Sequence, residues 1–257
     1  MTLSSFHSGS EITTLVGKPV ASLFSLLVAL KREVSELRFE SFRGGAGISE
    51  RVRKILRSRP ELERALGEQL LDSIPGLPLW DRIASAMMGN PQIGGLPDDL
   101  ISAVIKHSPE PASASFVVSS SDIQHDGITK ITEQICGEEI LAVCSKVKLE
   151  SGKLCHIPML DFLCPCSEQN EESLLRMLKE IGERSGVLVN SGRSYHYYGI
   201  RLLGRDDWVR FMAKALMFAP YSDPRYIAHR LADGQCRLRV FSRTRPMPMI
   251  SRVLDYE

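Results

Sequence analysis

Val187-Leu-Val-Asn190 runs into Ser191-Gly-Arg-Ser-Tyr-His196-Tyr-Tyr-Gly199, an apolar strand ending in a polar run bounded by glycines, and Val187–Leu203 as a whole reads as a strand or a hairpin. Strand alternation in Ser194-Tyr195-His196 puts Ser194 and His196 on one face and Tyr195 on the other. Glycines at 192 and 199 let backbone approach a ligand closely. A hydroxyl and an imidazole two residues apart are well placed to grip one phosphate. Aromatic strands with an isolated histidine also occur in ordinary sheets. What turns this stretch toward a site is its company: Asp161 ends one apolar segment upstream, and Asp223 opens a basic segment downstream.

Working outward, strands and helices alternate. Phe116–Ser119, Ile140–Lys148 and Cys236–Phe241 read as strands, and Leu154–Leu163 as an extended run entered through a turn at Ser151-Gly152. Ile128–Ile135, Glu171–Ser185, Asp206–Phe218 and Asp223–Leu231 read as helices, the second with Leu174, Leu175, Leu178 and Ile181 on one face. This order predicts an α+β fold. Toward the N-terminus, Leu23, Leu26, Leu27, Leu30, Val34 and Leu37 recur at three- and four-residue steps, predicting one amphipathic helix that stops before Arg43-Gly-Gly-Ala-Gly47. Further helices are expected from Ser49, through Leu62–Leu71, around Trp80–Met88 and over Leu100–Lys106. His107-Ser-Pro-Glu-Pro-Ala-Ser-Ala-Ser115 reads as a linker. The expected organisation is therefore an N-terminal helical domain, residues 1–112, and an α+β domain, residues 113–257.

Bulk composition excludes several classes. With 43% hydrophobic and 25% charged residues in 257, the chain reads as globular. Its most apolar run, Val20–Leu30, is too short to span a bilayer. The first residues lack the basic and apolar regions of a secretory signal, so the expected location is cytoplasmic, with no membrane partner. Six cysteines without a regular framework are expected to be reduced, and Cys155-His156 with Cys164-Pro-Cys166 does not have the common zinc spacing. Net charge is +1, but from Ser191 onward eleven arginines and Lys214 stand against six acids. Arginine suits bidentate phosphate contact and base stacking, which makes a nucleotide or nucleic acid a natural partner.

The sequence Met159-Leu-Asp161, the run Ser194-Tyr-His196 and the block Asp223-Pro-Arg-Tyr-Ile-Ala-His-Arg230 with Arg237-Leu-Arg-Val-Phe-Ser-Arg243 resemble, in order and spacing, the archaeo-eukaryotic primase (primase-polymerase) superfamily over roughly Ile140–Thr244. The resemblance implies an RRM-like sheet-and-helix domain and divalent-metal-dependent nucleotidyl transfer. It implies Asp161 and Asp223 as metal-binding catalytic carboxylates with Mg2+ or Mn2+, and His196 as a catalytic and nucleotide-binding residue. Arg193, Ser194 and Tyr198 join His196 at a nucleoside triphosphate, and Arg237, Arg239 and Arg243 follow the nucleic-acid backbone. The N-terminal helical domain is then a surface for a protein partner. The family's acidic pair is incomplete in this chain. Either Met159 stands for the first acid and Asp161 is the second, or Asp161 is the first and Leu163 stands for the second. A thioether or an alkyl group is a poor ligand for a hard cation, so the second functional class is a catalytically silent nucleotide- or nucleic-acid-binding module.

Overall fold

The computed structural model describes residues 12–43, 54–61, 63–64, 98–100, 112–219 and 221–255. Residues Met1–Gly44 and Ala112–Glu257 form one compact unit, and Gly45–Pro111 a second. In the second, the described residues include a helical stretch at 54–57 and an Arg59–Asp99 ion pair of 2.9 Å. The helices expected at Trp80–Met88 and over most of Leu62–Leu71 and Leu100–Lys106 lie outside the described residues.

The first unit holds helix α1 (Ala21–Leu30), strands β1 (Val34–Phe42) and β2 (Ala114–Ser119), helices α2 (Ser120–Gln124) and α3 (Gly127–Gln134), and strands β3 (Ile140–Leu149), β4 (Leu154–His156) and β5 (Met159–Asp161). It continues with α4 (Glu168–Glu180), β6 (Ser185–Asn190), β7 (Tyr195–Gly199), α5 (Arg205–Leu216), α6 (Pro224–Asp233), β8 (Arg237–Ser242) and β9 (Met249–Asp255). One antiparallel sheet runs β2-β1-β3-β4, with β8 also on β3, and a second runs β5-β7-β6-β9. The α+β class read from the sequence is the class observed.

Residues 12–43, expected within an N-terminal helical domain, instead complete the first sheet. The helix expected over Leu23–Leu37 ends at Leu30, where the Lys31 N–H closes on the Leu27 carbonyl. Beyond it the period changes to two: Leu37 and Phe39 are buried, Arg38 is exposed, and Glu36 is half-buried. β1 lies between β2 and β3, with Phe39 opposite Phe116 and Val143. Phe24 of α1 meets Phe39 and Tyr198 edge-on, each at 5.9 Å between centroids, so one side chain contacts both sheets. Such aromatic pairs add to the burial of their own surface.

The helices that bound the site have sequence-encoded ends. Ser167 caps α4 by accepting from the Asn170 N–H, with Glu168 and Glu171 in the first turn and Lys179 in the last, as the helix dipole favours. This capping starts α4 three residues before the expected Glu171, and Ser185 already belongs to β6. The Asp223 carboxylate caps α6 through the Arg225 and Tyr226 N–H groups, Pro224 follows, and Gly234 closes the helix in the left-handed region. The expected Leu154–Leu163 run is two short strands in different sheets, separated at Ile157-Pro158. β9 was not anticipated.

Candidate functional site

The site is a set of rows across the second sheet. On one face of β5 and β7, Met159 pairs with Tyr198 and Asp161 with His196. On the other edge of β5, Phe162 bridges Ser222, the Asp223 N–H donates to the Asp161 carbonyl at 3.1 Å, and the Leu163 N–H donates to the Tyr221 carbonyl at 2.9 Å. Residues 221–223 therefore extend the sheet by one short strand. Phe162 and Ser222 face the core, with exposures of 1% and 0%. Alternation puts Asp161, Asp223, Leu163 and Tyr221 on the opposite face. Three levels result: Tyr198 with Met159, then His196 with Asp161 and Asp223, then Leu163 with Tyr221. Carrying the β5–β7 register two residues on brings Ser194 level with Leu163.

These levels separate Met159 from Leu163. Met159 is completely buried against β7 and the first sheet, its carbonyl accepting from the Cys236 thiol. Asp161 keeps a third of its side chain in water, and Leu163 is 45% exposed on the same face. Of the two neighbours of Asp161 at this spacing, Leu163 shares its open face and Met159 does not.

The electrostatics follow from this placement. Burial, then the Asp223 charge opposite, push the Asp161 carboxyl up to about 7, against the opposing pull of the Phe162 N–H, Arg193 and Arg239. Burial, then the Arg239 charge, push His196 down to about 3. The 3.6 Å approach of His196 Nε2 to Asp161 Oδ1 is therefore a contact of a neutral imidazole, not an ion pair, at neutral pH. His196 Nδ1 is buried with no hydrogen-bond partner among the described residues, a costly state.

The loop before β7 is built to hold shape. Asn190 Oδ1 accepts from the Gly192 N–H at 2.8 Å, and the Ser191 hydroxyl donates to the Ser194 carbonyl at 2.9 Å. Gly192 adopts φ +102°, and Pro246 lies 3.1 Å from where its Cβ would be. Arg239 ties the loop down: its guanidinium donates to the Ser191 and Pro246 carbonyls. The resemblance placed Arg239 along a nucleic-acid backbone; the fold brings it to the wall of the loop before β7, beside Asp161. Arg193 is exposed at the loop tip, and Arg245 is exposed on the neighbouring turn.

The other expected contacts are distributed differently. Tyr198 has no exposed surface, packs on Phe24, and donates its hydroxyl toward the Arg239 carbonyl, so a direct nucleotide contact is not open to it. Arg237 is engaged by Glu40 at 2.7 Å and Asp233 at 3.5 Å. Arg243 donates to the Ile135 and Glu133 carbonyls at the end of α3. Both arginines thus have protein partners, and Arg243 is exposed. His156 stacks on Trp208 at 4.5 Å between ring centroids and hydrogen-bonds Ser145. All six cysteines are free thiols.

A family model described as archaeo-eukaryotic primase 1D-like matches residues 119–250, more than half of the chain. The chain belongs to this AEP-like family. No curated protein and no solved structure matches the chain. The primase-like match contains Asp161, Ser194, His196, Asp223 and Arg239, and it leaves out α1 and β1, which this chain uses to complete its first sheet. Among the described residues, no group of three or more His, Cys, Asp or Glu side chains is placed to hold a metal ion. Two carboxylates, one already capping α6, are too few for a pair of magnesium or manganese ions, which need several oxygen ligands to hold them about 4 Å apart.

Proposed function

We propose that this primase-like chain binds nucleoside triphosphates and nucleic acid through the Ser194–His196 face and does not carry out two-metal nucleotidyl transfer. The observation that carries this reading is Leu163, exposed on the carboxylate face at the level where the second acid of the pair would stand. Phosphate oxygens would accept from the Ser194 hydroxyl, with the largely buried His196 ring on the same face behind it. Arg193 and Arg245 would supply charge from either side. Arg239 positions the loop and contributes its own field. Asp161, partly protonated at neutral pH, repels a phosphate less than an ordinary carboxylate would. Magnesium or manganese enters as the counter-ion of the triphosphate.

The test is calorimetric titration with nucleoside triphosphates in EDTA, beside extension of a primed template in magnesium or manganese. Binding that persists in EDTA, is lost in Ser194→Ala/His196→Ala, and comes with no incorporation is the expected outcome. Divalent-dependent incorporation that Asp161→Ala abolishes would make the chain a polymerase and overturn the reading.

A further inference from the structure

Resting on that binding reading, we infer that Leu163 and Tyr221 form an apolar ledge on which the base of the bound nucleotide stacks. Both are large, exposed side chains, at 45% and 39%. Single exposed apolar residues are ordinary on protein surfaces. These two differ because they are fixed opposite one another by the backbone bond between the Leu163 N–H and the Tyr221 carbonyl, 2.9 Å long, and because alternation puts them on the face that carries Asp161 and Asp223. Directly opposed side chains on neighbouring strands lie about 5 Å apart at Cβ, near enough to form one continuous surface.

Their distance from the phosphate donors suits a nucleotide. Ser194 is level with Leu163, one strand spacing of about 4.8 Å away, and Tyr221 lies one strand further, so about 10 Å across the sheet separate the hydroxyl's strand from the ring's. A sugar spans a gap of that size between phosphate and base. Tyr221 presents an aromatic face and Leu163 an alkyl one, and neither offers a donor or acceptor pattern matched to one base edge apart from the Tyr221 hydroxyl. The ledge therefore favours stacking over base reading, and the four nucleoside triphosphates are expected to bind with similar affinity. It also gives Leu163 a use at the position where an acid is missing.

The experiment titrates each nucleoside triphosphate and inorganic triphosphate, in EDTA, into the wild-type chain and into Tyr221→Ala, Leu163→Ser and Tyr221→Phe. The ledge predicts a loss of about tenfold in nucleotide affinity for Tyr221→Ala, a smaller loss for Leu163→Ser, unchanged affinity for inorganic triphosphate, and retention in Tyr221→Phe, which keeps the ring and controls for folding. Unchanged nucleotide affinity in Tyr221→Ala, or an equal loss for inorganic triphosphate, overturns the ledge while leaving the binding function standing. Wild-type chain that binds neither probe overturns both.

Discussion

Replacing Asp161 by asparagine should stabilise the free protein, and increasingly so as pH rises. The carboxyl moves from 3.8 to about 7 on folding, so its ionised form is disfavoured in the folded state by at most about 4 kcal/mol, at 1.36 kcal/mol for each tenfold change. A third of the side chain meets water, and screening brings this to about 1–2 kcal/mol. The sign follows from proton binding. Between pH 3.8 and 7 the folded state holds the proton more tightly than the unfolded chain, so this group's contribution to stability falls with rising pH and levels off above 7. Asparagine has no such dependence. Urea unfolding of wild type and Asp161→Asn at pH 5.5 and 8.5 should show the variant gaining about 1 kcal/mol on the wild type between the two. A flat difference, or a variant that loses ground at pH 8.5, would refute the reasoning. It would mean that Arg193 and Arg239 outweigh burial and Asp223, leaving Asp161 an ordinary ionised carboxylate. Asp223→Asn, which can still cap α6, should shrink the effect.

Gly186→Ala should cost about 3 kcal/mol in chemical denaturation, because the new Cβ would lie 2.5 Å from the Tyr198 carbonyl and 2.6 Å from the Tyr197 hydroxyl in the middle of a sheet; a neutral result would show that β6 and β7 can separate locally. Tyr197→Phe removes a 2.9 Å bond to the buried Glu183 carboxylate, leaving it Arg201 alone, and should lower stability by about 1–2 kcal/mol by urea titration, where an unchanged midpoint would contradict the pairing. Burial, then the charges of Lys146 and Arg205, lower His156 to about 4, and His196 is lower still, so at these two sites the unfolded chain binds more protons than the folded one below pH 6.5, and their contribution to stability should fall as pH falls, opposite in sign to that of Asp161. His156→Gln should make that decline shallower across pH 6.5 to 4 in a series of urea curves, and an unaltered slope would mean that His156 takes up its proton in the folded state.

The residues that carry the site were readable because they belong to short patterns with local causes. Ser194 and His196 share a face through strand alternation alone, and Asp223-Pro224 announces both a helix start and a carboxylate. The α+β class was readable for the same reason: period and capping are set within one or two turns of chain. β1 shows where local reading fails. Val34 and Leu37 continue the three- and four-residue spacing of α1 by coincidence, and the Glu36, Arg38, Glu40 alternation that marks a strand only becomes decisive once β2 and β3, far apart in sequence, satisfy its backbone on both sides. The arginines of β8 show a second failure. Arg237, Arg239 and Arg243 look alike in sequence, but Glu40 takes the first, two backbone carbonyls at the end of α3 take the third, and only Arg239 reaches the loop at Ser191. Composition records the charge; partners brought together by the fold decide whether it is available.

The two neighbours of Asp161 show the same division. By itself the sequence determined that Met159 and Leu163 flank Asp161 at the same spacing and that neither is an acid. Only the tertiary structure separated them, since depth in a sheet depends on strands and helices remote in sequence: Tyr198 and the first sheet close over Met159, while the chain turning away at Tyr221 leaves Leu163 open to water.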